Sequence, residues 1–236
     1  MNPNQRNLLN LTDFSYDPTK VLEKTIDTTR DLFLSGIIDS RMSLYICAAL
    51  KVITSWQQEE TQERVNSLSA IVKQEDMEQV QYMIPSTAIY INSSGGYLGA
   101  SSAIINAIHE TPYHVISIAA GDVFSAAAYV YASADLRLAS PLSMFMIHEP
   151  SYMQQGELSK HKGRWEAIER QQDRWLSYFA SRTNKPVEFW KDKLNDEHDY
   201  YMTADEALEL GLVDEIIDYN DTKLGLDKKD NDGKSK

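Results

Sequence analysis

The strongest constraint on this chain is a rhythm that occurs twice: a short apolar run, a glycine turn, then a helix of small residues. Thr87 to Asn92 is apolar and is followed by Ser93-Ser94-Gly95-Gly96. Gly99 to His109 then carries small and aliphatic residues on helical spacing and ends before Pro112. The pattern returns with His114 to Ala119, Gly121, and a small-residue helix over Ser125 to Ser133. Short apolar runs bounded by turn residues read as buried strands. Strands alternating with helices at this spacing predict an α/β fold with parallel crossovers.

More elements extend the pattern. Asp31 to Ser35 predicts a strand stopped by Gly36, and Leu136–Ala139 and Met144–His148 predict two more, the second closed by Pro150. Val213 to Tyr219 predicts a last strand. No Gly or Pro interrupts Arg41 to Met83. Ser43 is positioned to cap this stretch, and Leu44, Ala48, Val52 and Trp56 recur at steps of four, marking a buried helical face. The stretch then turns polar, so residues 57–83 form either an exposed extension of that helix or the second arm of a helical hairpin. After Gly156 a polar helix runs to about Ser181, and Pro186 marks the start of another. Thr203 and Glu206 form a capping box, and Gly211 ends that helix. Residues 1–29 read as an irregular arm with one short helix near 19–25, 30–219 as the main domain, and 220–236 as a disordered tail.

Composition removes several function classes. The chain has 23 Lys and Arg against 35 Asp and Glu, a formal charge of −12. That excess disfavours nucleic acid and anionic membrane surfaces as partners. No apolar run reaches the length of a membrane span, and Met1 to Asn10 lacks the features of a secretory signal. A single cysteine, Cys47, makes neither an intrachain disulfide nor a cysteine metal cluster, and a cytoplasmic location is expected.

Candidate chemistry sits at the turns. Gly95-Gly96 exposes backbone N–H groups ahead of a helix, where an anion can bind, but the spacing is not a dinucleotide fingerprint. Ser125 opens a small-residue helix after a buried strand. It is either an N-cap or a nucleophile with the Ala126 N–H beside it. His148 ends an apolar strand and is either a structural histidine or a base. Asp199 lies in a charged run, Asp196 to Asp199, that precedes a helix. No cofactor or metal is expected.

Taken together these blocks resemble the Clp protease proteolytic subunit (ClpP) family of serine peptidases. The family's Y-I-N-S-P-G-G stands here as Tyr90 to Gly96, its G-x-A-A-S-M-G-A as Gly121 to Ala128, and its M-I-H-Q-P as Met146 to Pro150. Its C-terminal F-L-S-A-x-E-A motif stands as Tyr201 to Ala207, and its strand-and-glycine opening as Asp31 to Gly36. The likeness spans about residues 30–217. It implies a ClpP/crotonase-like spiral of βαβ units with a protruding helical handle and an extended N-terminal helical region. It also implies Ser125 as nucleophile, His148 as general base, Asp199 as its orienting carboxylate, and an oxyanion hole from the N–H groups of Gly96 and Ala126.

The implied activity is endopeptidase cleavage of peptides or unfolded proteins inside a homo-oligomeric, heptameric ring or stacked rings, with a Clp ATPase or a host ClpP subunit as candidate partners. Departures from the family pattern include Ser94 for its proline, Val123 and Phe124 for small alanines, and about two dozen additional residues between Gly36 and Asn92. They are of the kind found in phage-encoded members. Phe124 is expected to narrow the substrate pocket. The alternatives are a non-catalytic ClpP-like subunit or scaffold that modulates a host ring, and a crotonase-type acyl-CoA enzyme of the same fold.

Overall fold

The computed structural model describes residues 30–68, 86–151, 161–197 and 199–219. The expected arm, the tail and the stretch 69–83 lie outside these residues.

The chain runs β1 (Asp31–Ile38), α1 (Ser40–Leu68), β2 (Thr87–Gly96), α2 (Leu98–Glu110), β3 (Val115–Phe124), α3 (Ala126–Ala132), β4 (Leu136–Ala139) and β5 (Met144–His148). It continues through α4 (His161–Ser181), α5 (Val187–Glu197), β6 (Asp199–Thr203), α6 (Ala204–Glu209) and β7 (Glu215–Ile216). The strands form one sheet in the order β1-β2-β3-β4-β7, with β5 pairing β3 and β6 pairing β5. Every pairing is parallel except β5 with β6. The α/β fold with parallel crossovers expected from the sequence is the fold observed.

Strand β3 is the hub. Its first half, Ile116 to Ala119, pairs with β4, and its last residues, Asp122 to Phe124, pair with β5. The strand therefore passes through Gly121, where the sequence suggested a stop. The same holds for β1 at Gly36 and for β2, whose Ser93 to Gly96 was read as a turn. Both strands carry on through a register shift, between Ser35 and Ile37 on β1. Ser93 explains how the backbone is held there: its hydroxyl donates to the Gly36 carbonyl and accepts from the Gly95 N–H. Glycine in a strand marks an irregularity as readily as an end. Conversely, the last strand is only Glu215–Ile216, shorter than expected.

Helix α1 differs from expectation in which face is buried. Ile46, Ala49, Leu50, Ile53 and Gln57 are buried, while Leu44 is 71 % and Val52 45 % exposed. Both faces of this helix are apolar, so periodicity alone could not choose between them. The first turn is capped by Asp39, not Ser43: its carboxylate accepts from the N–H groups of Arg41 and Met42. Those bonds hold the Asp39 carboxyl below its ordinary value. The helix is unbroken to Leu68.

The core is closed on the far side by aromatic edges. Tyr129 of α3 meets Trp175 and Phe179 of α4, and Phe179 meets Trp190 of α5, with centroids 4.8 to 5.2 Å apart. Arg182 stitches α4 to the end of α3 by donating to the carbonyls of Ala132 and Ala134. This packing fixes α4 beside the carboxyl end of β3 and β5, where the site lies.

Candidate active site

Ser125 stands at the joint between β3 and α3. Its φ is 55° and its ψ −126°, a region that non-glycine residues enter only under strain. The surroundings over-determine it. The Ser125 N–H donates to the Met146 carbonyl at 2.7 Å, and the Ser125 carbonyl accepts from Ala128. The side chain makes no capping hydrogen bond to the helix it precedes. Ser125 thus stands at the N-cap position without capping the helix through its side chain. Its Oγ lies instead 2.7 Å from His148 Nε2.

His148 is the last residue of β5, and β3–β5 pairing brings that strand alongside the serine joint. Strand β6 then sets Asp199 directly opposite His148 in antiparallel register. The Asp199 Oδ1 is 3.8 Å from His148 Nδ1, beyond hydrogen-bond length. Asp199 is 53 % exposed and His148 24 %. The three residues are thus brought together, with the serine–histidine contact closed and the histidine–aspartate contact open. Strand β6 itself was missed. The charged run before it hid the alternation of exposed Tyr201 with buried Met202, which is a strand signal.

The two glycines are explained by contact. A Cβ on Gly95 would stand 2.7 Å from Ser125 Cβ and 2.9 Å from the Ala126 nitrogen. One on Gly96 would stand 2.3 Å from the Ile38 carbonyl oxygen. Strand β2 therefore lies against the start of α3 at a distance no side chain allows. Gly96 borders the cavity, and Ala126 opens α3, where a first-turn N–H has no partner within the helix.

A cavity of about 360 Å³ opens at Ser125 and His148. Its walls are largely apolar: Leu98, Tyr129, Trp175, Leu176 and Leu194, with Gln172 as a polar group. Burial holds the Tyr129 phenol well above its ordinary range, so it stays protonated. No sequence motif pointed to these wall residues as part of a site. Phe124, expected to narrow the pocket, does not line it. Its ring packs edge-on against Tyr201, 5.8 Å between centroids. No cluster of three or more metal-ligating side chains occurs among the described residues, and no described helix is long and apolar enough to cross a membrane.

A strained serine against a histidine, with a carboxylate behind it and backbone N–H groups in front, can carry out acyl transfer. Comparison with known proteins places the chain among its relatives. Residues 62–220 match the Clp protease family model. The chain is 35 % identical over 131 residues to the ATP-dependent Clp protease proteolytic subunit 2 of Pseudomonas aeruginosa, covering 55 % of this chain and 64 % of that protein. It is 26 % identical over 200 residues to proteolytic subunit 3 of Rhizobium etli, covering 84 % of this chain and 89 % of that one. The match to the first thus spans slightly under two thirds of its length. With the family model covering well over half the chain, and with the parallel sheet and its serine joint in place, the protein belongs to the Clp protease family.

Proposed function

We propose that the chain is a serine endopeptidase that hydrolyses peptides or unfolded proteins through Ser125, His148 and Asp199. The observation that carries the reading is the 2.7 Å contact between Ser125 Oγ and His148 Nε2 at the mouth of a largely apolar cavity. With Nε2 unprotonated, the hydroxyl donates to it, and the imidazole takes that proton as Oγ attacks the scissile carbonyl. Negative charge on the carbonyl oxygen is met by the N–H groups of Gly96 and Ala126. The imidazolium then protonates the leaving amine, and water repeats the sequence to release the acyl group. Asp199 stabilises the imidazolium and orients the ring. No cofactor takes part. A homo-oligomeric ring in the cytoplasm, supplied by a Clp ATPase or mixed with a host ClpP subunit, is the setting we propose by likeness to the relatives.

One observation favours a second reading. The 3.8 Å gap between His148 and Asp199 suits a non-catalytic subunit that modulates other rings. Incubation of the full chain with denatured casein separates the two. Fragments that form with the wild type and are absent with Ser125→Ala support the peptidase. No fragments from either protein contradicts it, and a changed rate of casein degradation by an active Clp proteolytic subunit of a relative, equal with wild type and with Ser125→Ala, supports the modulating subunit.

A further inference from the structure

A second cavity shares Trp175 with the candidate active-site cavity. It occupies about 660 Å³ between α2 and α4, nearly twice the volume of the first. Helix α2 contributes Ser102, Asn106 and His109, and α4 contributes Arg170, Gln171 and Arg174. Among the described residues no carboxylate lines it. In a chain carrying a formal charge of −12, a groove with two guanidiniums and no acid is an inversion of the local charge. Arg170 and Arg174 sit one helical turn apart and are both exposed. Neither has an ion pair or hydrogen bond among the described residues. By contrast, Arg30 and Arg64 are paired with Glu60, and Arg137 with Asp214.

The distribution of donors selects the ligand. Ser102 to His109 spans seven residues of helix, about 10 Å. That equals about three residues of an extended peptide. Polar residues recur from turn to turn along both helices, a spread that suits an extended segment better than a lone phosphate. Asn106, Gln171 and the Ser102 hydroxyl offer both donors and acceptors to a backbone, the His109 ring and the Tyr178 hydroxyl bond each other at 3.0 Å between the two helices, and Ile105, Ala167 and Trp175 offer an apolar wall. Guanidinium pairs bind carboxylates through two parallel, charge-assisted bonds.

The geometry points to the α2–α4 groove as a binding site for an acidic peptide segment, its carboxylates paired by Arg170 and Arg174. The groove shares Trp175 with the catalytic cavity, so a segment held there adjoins that cavity. The inference does not require Ser125 to react.

The test uses the full chain carrying Ser125→Ala, so that binding is read without turnover. A fluorescein-labelled hexapeptide of glutamates around one leucine is titrated by anisotropy. Saturable binding is expected, weakened at least about tenfold by Arg170→Gln with Arg174→Gln, and weakened by salt as exposed charge pairs are. A lysine hexapeptide of equal length is expected not to bind. The double variant is checked by circular dichroism and melting temperature, and both positions are exposed, so folding is preserved. Unchanged binding in the double variant overturns the proposal. So does displacement by equimolar inorganic phosphate, which assigns the groove to phosphate. Absence of peptide binding together with a change of oligomeric mass in the double variant also overturns it, and assigns the groove to a contact between copies.

Discussion

At the scale of single residues, Ser125 holds a strained backbone only because β2, β3 and β5 converge on it. Replacing a hydrogen-bonded base or nucleophile removes the whole device, since such residues act as a unit. Ser125→Ala and His148→Ala are expected to lower peptidase turnover by about 10⁴ to 10⁶-fold. Asp199 stands farther from its partner and is half exposed, so Asp199→Asn is expected to cost less, about 10³-fold. Steady-state kinetics on one fluorogenic peptide checks all three, and losses under tenfold throughout would contradict the mechanism. Gly95→Ala is expected to abolish activity without touching any reacting atom. Its methyl would enter the space of the serine joint and the Ala126 nitrogen. That variant should be read together with its melting temperature.

The elements show where sequence was informative and where it was not. Strand starts at Thr87, Leu136 and Met144 were legible, because an apolar run of β-formers begins there whatever follows. Strand ends were not. Gly36, Gly121 and the Gly95-Gly96 pair look like stops, yet the sheet runs through them, because the partner strands supply the hydrogen bonds. Strand β6 was hidden by its charges. It is nonetheless the element that carries Asp199 to His148, and it is pinned at its far end by the Thr203 capping box. The Glu206 carboxylate accepts from the Thr203 N–H, which holds its pKa below the ordinary value. Thr203→Ala is expected to destabilise the protein by about 1 kcal/mol, measured by urea unfolding. Of the candidate site, the serine, histidine and aspartate were legible through motif order. The cavity walls from α4 and α5 were not, since Trp175, Leu176 and Leu194 fall outside every motif and carry no signal beyond helical apolar spacing.

Across the whole molecule, two features tie the distant segments together. Trp190 is fully buried between α4, α5 and β6, and its indole N–H donates to Thr183. Trp190→Ala is expected to cost about 3–5 kcal/mol, measured by thermal or urea unfolding. The second tie is the forked pair of Arg137 on β4 with Asp214 ahead of β7. Burial pushes the Asp214 carboxyl up, but the Arg137 hydrogen bonds and charge outweigh it and leave the group below its ordinary value. A carboxyl lowered by folding adds stability above its unfolded pKa and loses it as pH falls through the folded one. Wild type is therefore expected to lose stability on acidification more steeply than Asp214→Asn, with the two converging once Asp214 is protonated. Parallel acid titrations followed by fluorescence check this, and equal slopes would contradict it.

The measurement that bears most directly on the central claim is the intact mass of the purified chain after reaction with a fluorophosphonate probe, beside Ser125→Ala. A single adduct on the wild type and none on the variant is the predicted result. An unmodified wild type, or an adduct that persists when Ser125 is replaced, would contradict the assignment of Ser125 as the nucleophile.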